Sequence, residues 1–182
     1  MTSESALAEA TEKPTTDAGA GRRLRYDPHH CFACGELNEH GLQLVLHADA
    51  TGCWTELTLA HRFQGWESVA HGGIVATILD EVMAWSVIGR GTWGVTARLN
   101  LTFKRPIPTG RPIRAEGWVV QDRRRTINTA GHVLDGITRA VLASGEGTFM
   151  AVPADQLAAL KARYRLQPTG DPAGTPETVA VG

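Results

Sequence analysis

From His71 to Ile88 the chain reads HGGIVATILDEVMAWSVI, an apolar run opened by paired glycines and cut by acids at Asp80 and Glu81. Its length, about 16 residues from Gly73, exceeds an ordinary strand, and Gly89, Gly91 and Gly94 end it. A helix that is apolar on every side has to be covered on every side. An ionised carboxylate inside such a helix costs several kcal/mol unless something pairs with it or uses it. Asp80 therefore demands an explanation, whereas Glu81 reads as the solvated strip of the helix.

The flanking segments supply the cover. Gly41 to Ala48 and Cys53 to Ala60 read as β-rich runs around the turn Asp49-Ala50-Thr51-Gly52. After the helix, Ala97, Leu99, Leu101 and Phe103 alternate with Thr96, Arg98, Asn100, Thr102 and Lys104, the pattern of a strand with one buried face. Ile113–Gln121, Thr126–Val133 and Ile137–Val152 continue an antiparallel meander through the Asp135-Gly136 turn, and a short amphipathic helix follows from Ala154 to Tyr164 with Leu157, Leu160 and Tyr164 as its stripe. A flat sheet covers one side of a helix; a strongly twisted one wraps most of it and leaves the remainder for a second subunit. The expectation is an α+β fold with a long central helix wrapped by a curved antiparallel sheet, in an oligomer.

Composition narrows the class. With 18 Lys and Arg against 19 Asp and Glu, a net charge of −1 gives no general footprint for nucleic acid. No apolar run reaches the roughly 18 residues of a membrane span. Residues 1–25 read as a disordered leader, without the apolar core of a secretory signal and with acids where a mitochondrial transit peptide avoids them. Residues 26–166 read as one domain and 167–182 as a flexible tail. Three cysteines are an odd count, and reduced thiols in a cytoplasmic protein are the default.

Two ends of the helix carry chemistry. Paired glycines leave the backbone N–H groups of the first turn unobstructed at the positive end of the helix dipole, a place for an oxyanion. The Gly72 amide, with Gly73 beside it, is a candidate donor to a polarised carbonyl, and His71 a candidate positioning group. Gly-Gly chosen for close packing is the plain alternative. Asp80 lies eight residues on, about 12 Å along the axis. One helix cannot bring both to one carbonyl, but two antiparallel helices across a two-fold axis can, so both residues being catalytic requires two shared sites per dimer.

The stretch FQGWESVAHGGIVATILDEVM, followed by TARLNLTFKRPIP and preceded by CFACG and NEHGL, resembles the hotdog-fold acyl-CoA thioesterases of the PaaI-like branch. The resemblance covers most of Cys31 to Val152. It implies that Asp80 either activates water or attacks the thioester carbonyl, that the Gly72 N–H is the oxyanion donor, that His71 is the motif histidine, and that Thr96 supplies a hydroxyl orienting the water or the acid. Many relatives carry an Asn or Gln shortly before the glycines, and Gln64 is the nearest candidate here. Strict pleating turns Thr96 away from the helix, so this role needs a bulge or an irregular strand start, which the nearby Gly94 permits. The implied partner is an acyl-CoA or other acyl thioester, with Gln64, Gly73, Lys104 and Arg105 as binding residues and the homodimer, or a tetramer, as the assembly. Arg111, Arg114 and Arg123 to Arg125 are further available cations. No cofactor is expected.

Cys31-Phe32-Ala33-Cys34, preceded by His29-His30, offers two thiolates and an imidazole, which are suitable zinc ligands, but no second Cys or His pair follows, and Cys53, His40 or His47 would have to be recruited by the fold to close the site. Packing is the favoured reading of this turn, with no metal. Two other functions stay open: hydratase or dehydratase chemistry on an acyl thioester through a His–acid pair, and a hotdog domain that binds acyl-CoA without turning it over.

Overall fold

The computed structural model describes Lys13 and residues 21–172, with side chains to Leu166. Ten strands and two α-helices follow in the order β1 (Arg22–Arg25), β2 (His47–Ala48), β3 (Cys53–Thr58), a 3₁₀ turn at His61–Phe63, β4 (Gln64–Trp66), β5 (Val69–Ala70), α1 (Gly72–Ile88), β6 (Gly94–Phe103), β7 (Pro112–Arg123), β8 (Thr126–Asp135), β9 (Val141–Ala151), α2 (Ala154–Tyr164) and β10 (Gln167–Pro172). Eight strands form one sheet in the order β10-β1-β2-β3-β7-β8-β9-β6, antiparallel at every pairing, while β4 and β5 make a small separate hairpin. This is the α+β hotdog arrangement, a long helix against a large antiparallel sheet. No helix among the described residues is long and apolar enough to cross a membrane.

The helix lies on the sheet because the sheet clears a path for it. Gly117 of β7, Gly131 of β8 and Gly145 of β9 are cross-strand partners in one row. A Cβ at Gly117 would sit 2.7 Å from the Met83 nitrogen, and one at Gly131 would press on the Met83 and Leu79 side chains at 3.2 and 3.3 Å. Real side chains there would lift α1 off the strands, so this is a row where only glycine allows the approach. Val75, Ile78, Leu79, Val82 and Met83, each at most 1% exposed, fill the space on either side. At about 25 cal/mol per Å² of buried apolar surface, each such side chain stabilises the fold by roughly 1.5–3 kcal/mol.

Several expectations are corrected. Gly41 to Ala48 is a strand only at His47–Ala48. The Leu42 and Leu44 N–H groups bond instead to the Phe32 and Ala33 carbonyls, and Gln43 has a left-handed φ of 46°, which breaks extended geometry. Both leucines are buried all the same, at 0% and 4% exposure, so their burial comes from a loop rather than a sheet face. Of the face expected to be buried in β6, only Leu99 and Leu101 pack on the core. Phe103 is 52% exposed and Ala97 sits at a register shift between Thr96 and Arg98. The large sheet also runs past the expected boundaries of the domain, since β1 lies before residue 26 and β10 after residue 166. The remainder of the leader and residues 173–182 lie outside the described residues.

Candidate active site and the turn beside it

The glycine end of α1 is built around the His71 ring. The side-chain Nδ1 of His71 accepts the Gly73 N–H at 2.9 Å and so caps the helix. Its backbone N–H donates to the Phe63 carbonyl at 2.9 Å, and Ile74 and Val75 donate back to the His71 carbonyl. A Cβ at Gly73 would stand 3.1 Å from Nδ1, so the cap itself calls for a glycine there. Gly72 is different. Its position is exposed, a Cβ would meet only the Phe103 ring at an ordinary 3.5 Å, and its N–H has no acceptor among the described residues. Of the two amides expected to form an oxyanion site, Gly73 is therefore engaged within the chain, while Gly72 is left pointing outward at the helix start.

Gln64 sits at this same end, whereas Lys104 lines a separate pocket with Asn100, Thr102 and His132. The β4–β5 hairpin packs against His71 at Gly65, where a Cβ would come 3.2 Å from the His71 Cα. Gln64 is exposed, and its Oε1 accepts the Ser68 N–H at 3.2 Å, leaving the amide nitrogen outward. Lys104 and Arg105 directly follow Phe103, are exposed, and form no salt bridge among the described residues. Arg111 and Arg114 are taken, the first by Asp135 at 3.7 Å and the second by Glu56 at 2.8 Å and Glu116 at 3.3 Å. Trp66 is 84% exposed on the hairpin tip.

Two turns up the helix, Asp80 is half-buried and faces β6, where the Thr96 hydroxyl donates to Oδ1 at 2.8 Å. The bulge at Ala97 makes this possible: the register shift between Thr96 and Arg98 turns Thr96 onto the helix side that strict alternation would deny it. Burial raises the Asp80 carboxyl above its ordinary range, and the Thr96 hydrogen bond pulls against that rise. A carboxylate with one oxygen pinned and the other free is suited to accept a proton or to attack a carbonyl.

Glu81, expected on a solvated face, points instead into the protein. Its Oε1 accepts the Trp85 indole N–H at 2.7 Å, and Trp85 is buried and stacked on Tyr26 with ring centroids 4.7 Å apart. Its carboxylate and the Cys31 and Cys34 sulfurs all lie within 4.8 Å of one another. Burial, and next the neighbouring Cys31 sulfur, push Glu81 up to about 7. The Cys31–Cys34 hydrogen bond holds the Cys31 thiol down at about 5 and, with burial, drives the Cys34 thiol up. Cys53 is buried elsewhere, and all three cysteines are free thiols.

Residues 67–141 match the thioesterase superfamily family model. A crystal structure of a thioesterase superfamily protein superposes with a TM-score of 0.63 at 26% identity, covering 81% of this chain and 72% of that one. The fold is the hotdog fold of that structure. A Bacillus halodurans protein whose crystal structure contains CoA superposes at a TM-score of 0.51 and 25% identity, over 59% of this chain and 72% of the other. The mouse acyl-coenzyme A thioesterase THEM4 is 44% identical over 45 residues, 25% of this chain. This chain matches only 19% of the length of that curated relative. The matched residues 67–141 contain both ends of α1, the bulged strand β6 and the Lys104-Arg105 pair.

Proposed function

We propose that the protein hydrolyses an acyl thioester, an acyl-CoA, to a free acid and a thiol, in the manner of the PaaI-like branch. The observation that carries this reading is the pairing on one helix of an outward, unsatisfied Gly72 N–H with a half-buried Asp80 whose Oδ1 is held at 2.8 Å by Thr96. Asp80 acts as general base toward water or as nucleophile toward the thioester carbon, and Thr96 orients it. The Gly72 amide, at the positive end of the helix dipole, takes the charge that develops on the carbonyl oxygen. Lys104 and Arg105 face the CoA phosphates, and Gln64 and His71 shape the acyl end.

About 12 Å of helix separates Gly72 from Asp80, so each site draws on two subunits. The surface that supports such a dimer is β6. It is the outermost strand of the sheet, ten residues long, and it exposes Val95 at 65% and Phe103 at 52%. A long edge strand with apolar residues invites pairing. Pairing of two β6 strands about a two-fold axis would extend the sheet and set the helices antiparallel, with each Asp80 beside the partner's glycine end. A tetramer would pair two such dimers. The working unit in this proposal is a single domain acting in the cytosol, where its cysteines stay as thiols.

Hydratase chemistry is the weaker reading because of His71. An Nδ1 that accepts the Gly73 N–H is unprotonated, which leaves the ring proton on Nε2, so the histidine cannot take a further proton there without changing tautomer and releasing the cap. A free-thiol assay over short, long and aromatic acyl-CoAs tests the proposal. Thiol release that scales with enzyme supports hydrolysis; no thiol from any substrate, with tight acyl-CoA binding, would mark a non-catalytic binding domain.

A further inference from the structure

No second Cys or His pair follows the turn at Cys31–Cys34 in sequence. The structure brings the turn a partner from the central helix. Glu81 places a carboxylate oxygen within 4.8 Å of both sulfurs, although it lies 47 residues beyond Cys34, the nearer end of the motif. Two thiolates at C-x-x-C spacing and one carboxylate are the donor types of a tetrahedral zinc centre, where S and O ligands lie about 2.0–2.3 Å from the ion and hence several ångströms from one another. We propose that Cys31, Cys34 and Glu81 hold a Zn²⁺ ion that ties the N-terminal turn to the central helix, with solvent in the fourth position.

Three further features fit a built site rather than a chance cluster. The carboxylate is oriented: Trp85 donates its indole N–H to Oε1 at 2.7 Å, leaving the other oxygen for an ion, and Tyr26 stacks on that indole. The Cys34 sulfur is supported by His29. Because the His29 Nδ1 accepts the Cys31 N–H at 3.2 Å, the ring proton belongs on Nε2, which stands 3.9 Å from the Cys34 sulfur as a weak donor that favours thiolate. Such outer partners orient ligands and commonly change metal affinity by about 10–100-fold when removed. The third is availability: Glu81 forms no salt bridge among the described residues, and its carboxylate faces the two sulfurs.

Zinc fits better than a hard cation because two of three donors are sulfur, and magnesium or calcium would require oxygen ligands. The ion would be structural. Glu81 faces the turn whereas Asp80, its neighbour, faces Thr96, so the metal sits behind the proposed catalytic acid and away from the exposed helix start. This inference does not depend on thioester hydrolysis.

The test is metal content of the full chain purified without chelator under reducing conditions, followed by removal of metal and titration with Zn²⁺ and Co²⁺ separately. The expected result is about one zinc per chain and, with cobalt, the sulfur-to-metal charge-transfer and intense visible bands of a tetrahedral thiolate site. Glu81→Gln, nearly isosteric, should weaken zinc at least tenfold, and Cys31→Ser with Cys34→Ser should abolish the cobalt thiolate spectrum. Circular dichroism of each variant separates loss of the site from loss of the fold. Failure of the wild-type chain to take up zinc after reduction would overturn the proposal, as would a loss of 2 Da on mass analysis of the native protein, the mark of a Cys31–Cys34 disulfide. Undiminished affinity in folded Glu81→Gln would remove the carboxylate from the site and overturn it equally.

Discussion

Asp80 and Glu81 are adjacent on α1 and sit in opposite surroundings. One meets a threonine hydroxyl on the bulged edge strand and keeps a side toward solvent; the other meets an indole and two cysteine sulfurs inside the protein. Successive helical residues diverge by about 100°, so neighbouring acids on a buried helix belong to different sites as a matter of geometry. The difference teaches that an acid in an apolar helix is explained by what faces it, and that two such acids need two explanations.

The largest effect that should separate them is on turnover. Asp80→Asn is expected to lower kcat for acyl-CoA hydrolysis by at least about 100-fold with unchanged thermal stability and unchanged metal content, measured by thiol release and calorimetry. Near-wild-type turnover would end the assignment of Asp80. Thr96→Ala should cost about tenfold in kcat with little change in KM, because it frees an acid that the hydroxyl positions, and Thr96→Ser should restore most of it. Loss in KM alone would mean that Thr96 contacts substrate instead. The two glycines give a smaller and sharper contrast. Gly73→Ala should destabilise the fold by about 1 kcal/mol in chemical denaturation, since its Cβ presses on the His71 cap. Gly72→Ala should leave stability nearly unaltered and reduce activity. Equal stability losses would contradict the division of labour between the two amides.

Much of this fold can be read without coordinates. The apolar run to Ile88 is the helix α1 to within a residue, and the stretch from about Ala154 to Tyr164 is α2, because length, periodicity and glycine stops all act locally. The β7-β8-β9 meander follows from alternation and turns, but the expected continuation from β6 into β7 does not hold: β6 pairs with β9 and β7 with β3, pairings that depend on segments far apart in the chain. What the sequence hides depends on partners far away in the chain. Glu81 looks solvated until Cys31, Cys34 and Trp85 surround it, and Gly117, Gly131 and Gly145 look like three unrelated glycines until cross-strand register lines them up under Met83. Leu42 and Leu44 mislead in the other direction: an apolar run of strand composition finds its hydrogen bonds on the Cys31–Cys34 turn instead of a sheet. The site lies between these cases. His71, Gly72 and Asp80 stand out as a motif, and the role of Thr96 requires a bulge that strand pairing supplies at Ala97. That the Gly73 amide is engaged by His71 follows only from the observed cap.

The central claim is that α1 supplies two half-sites to two different substrates, one at its glycine end and one at Asp80. Mixing Gly72→Val subunits with Asp80→Asn subunits, under conditions that exchange protomers, tests it in one measurement. If each parent is inactive and the site is shared, random mixing of equal amounts should restore about a quarter of wild-type hydrolysis, from one intact centre in each heterodimer. A mixture that forms heterodimers yet stays as inactive as its parents would contradict it.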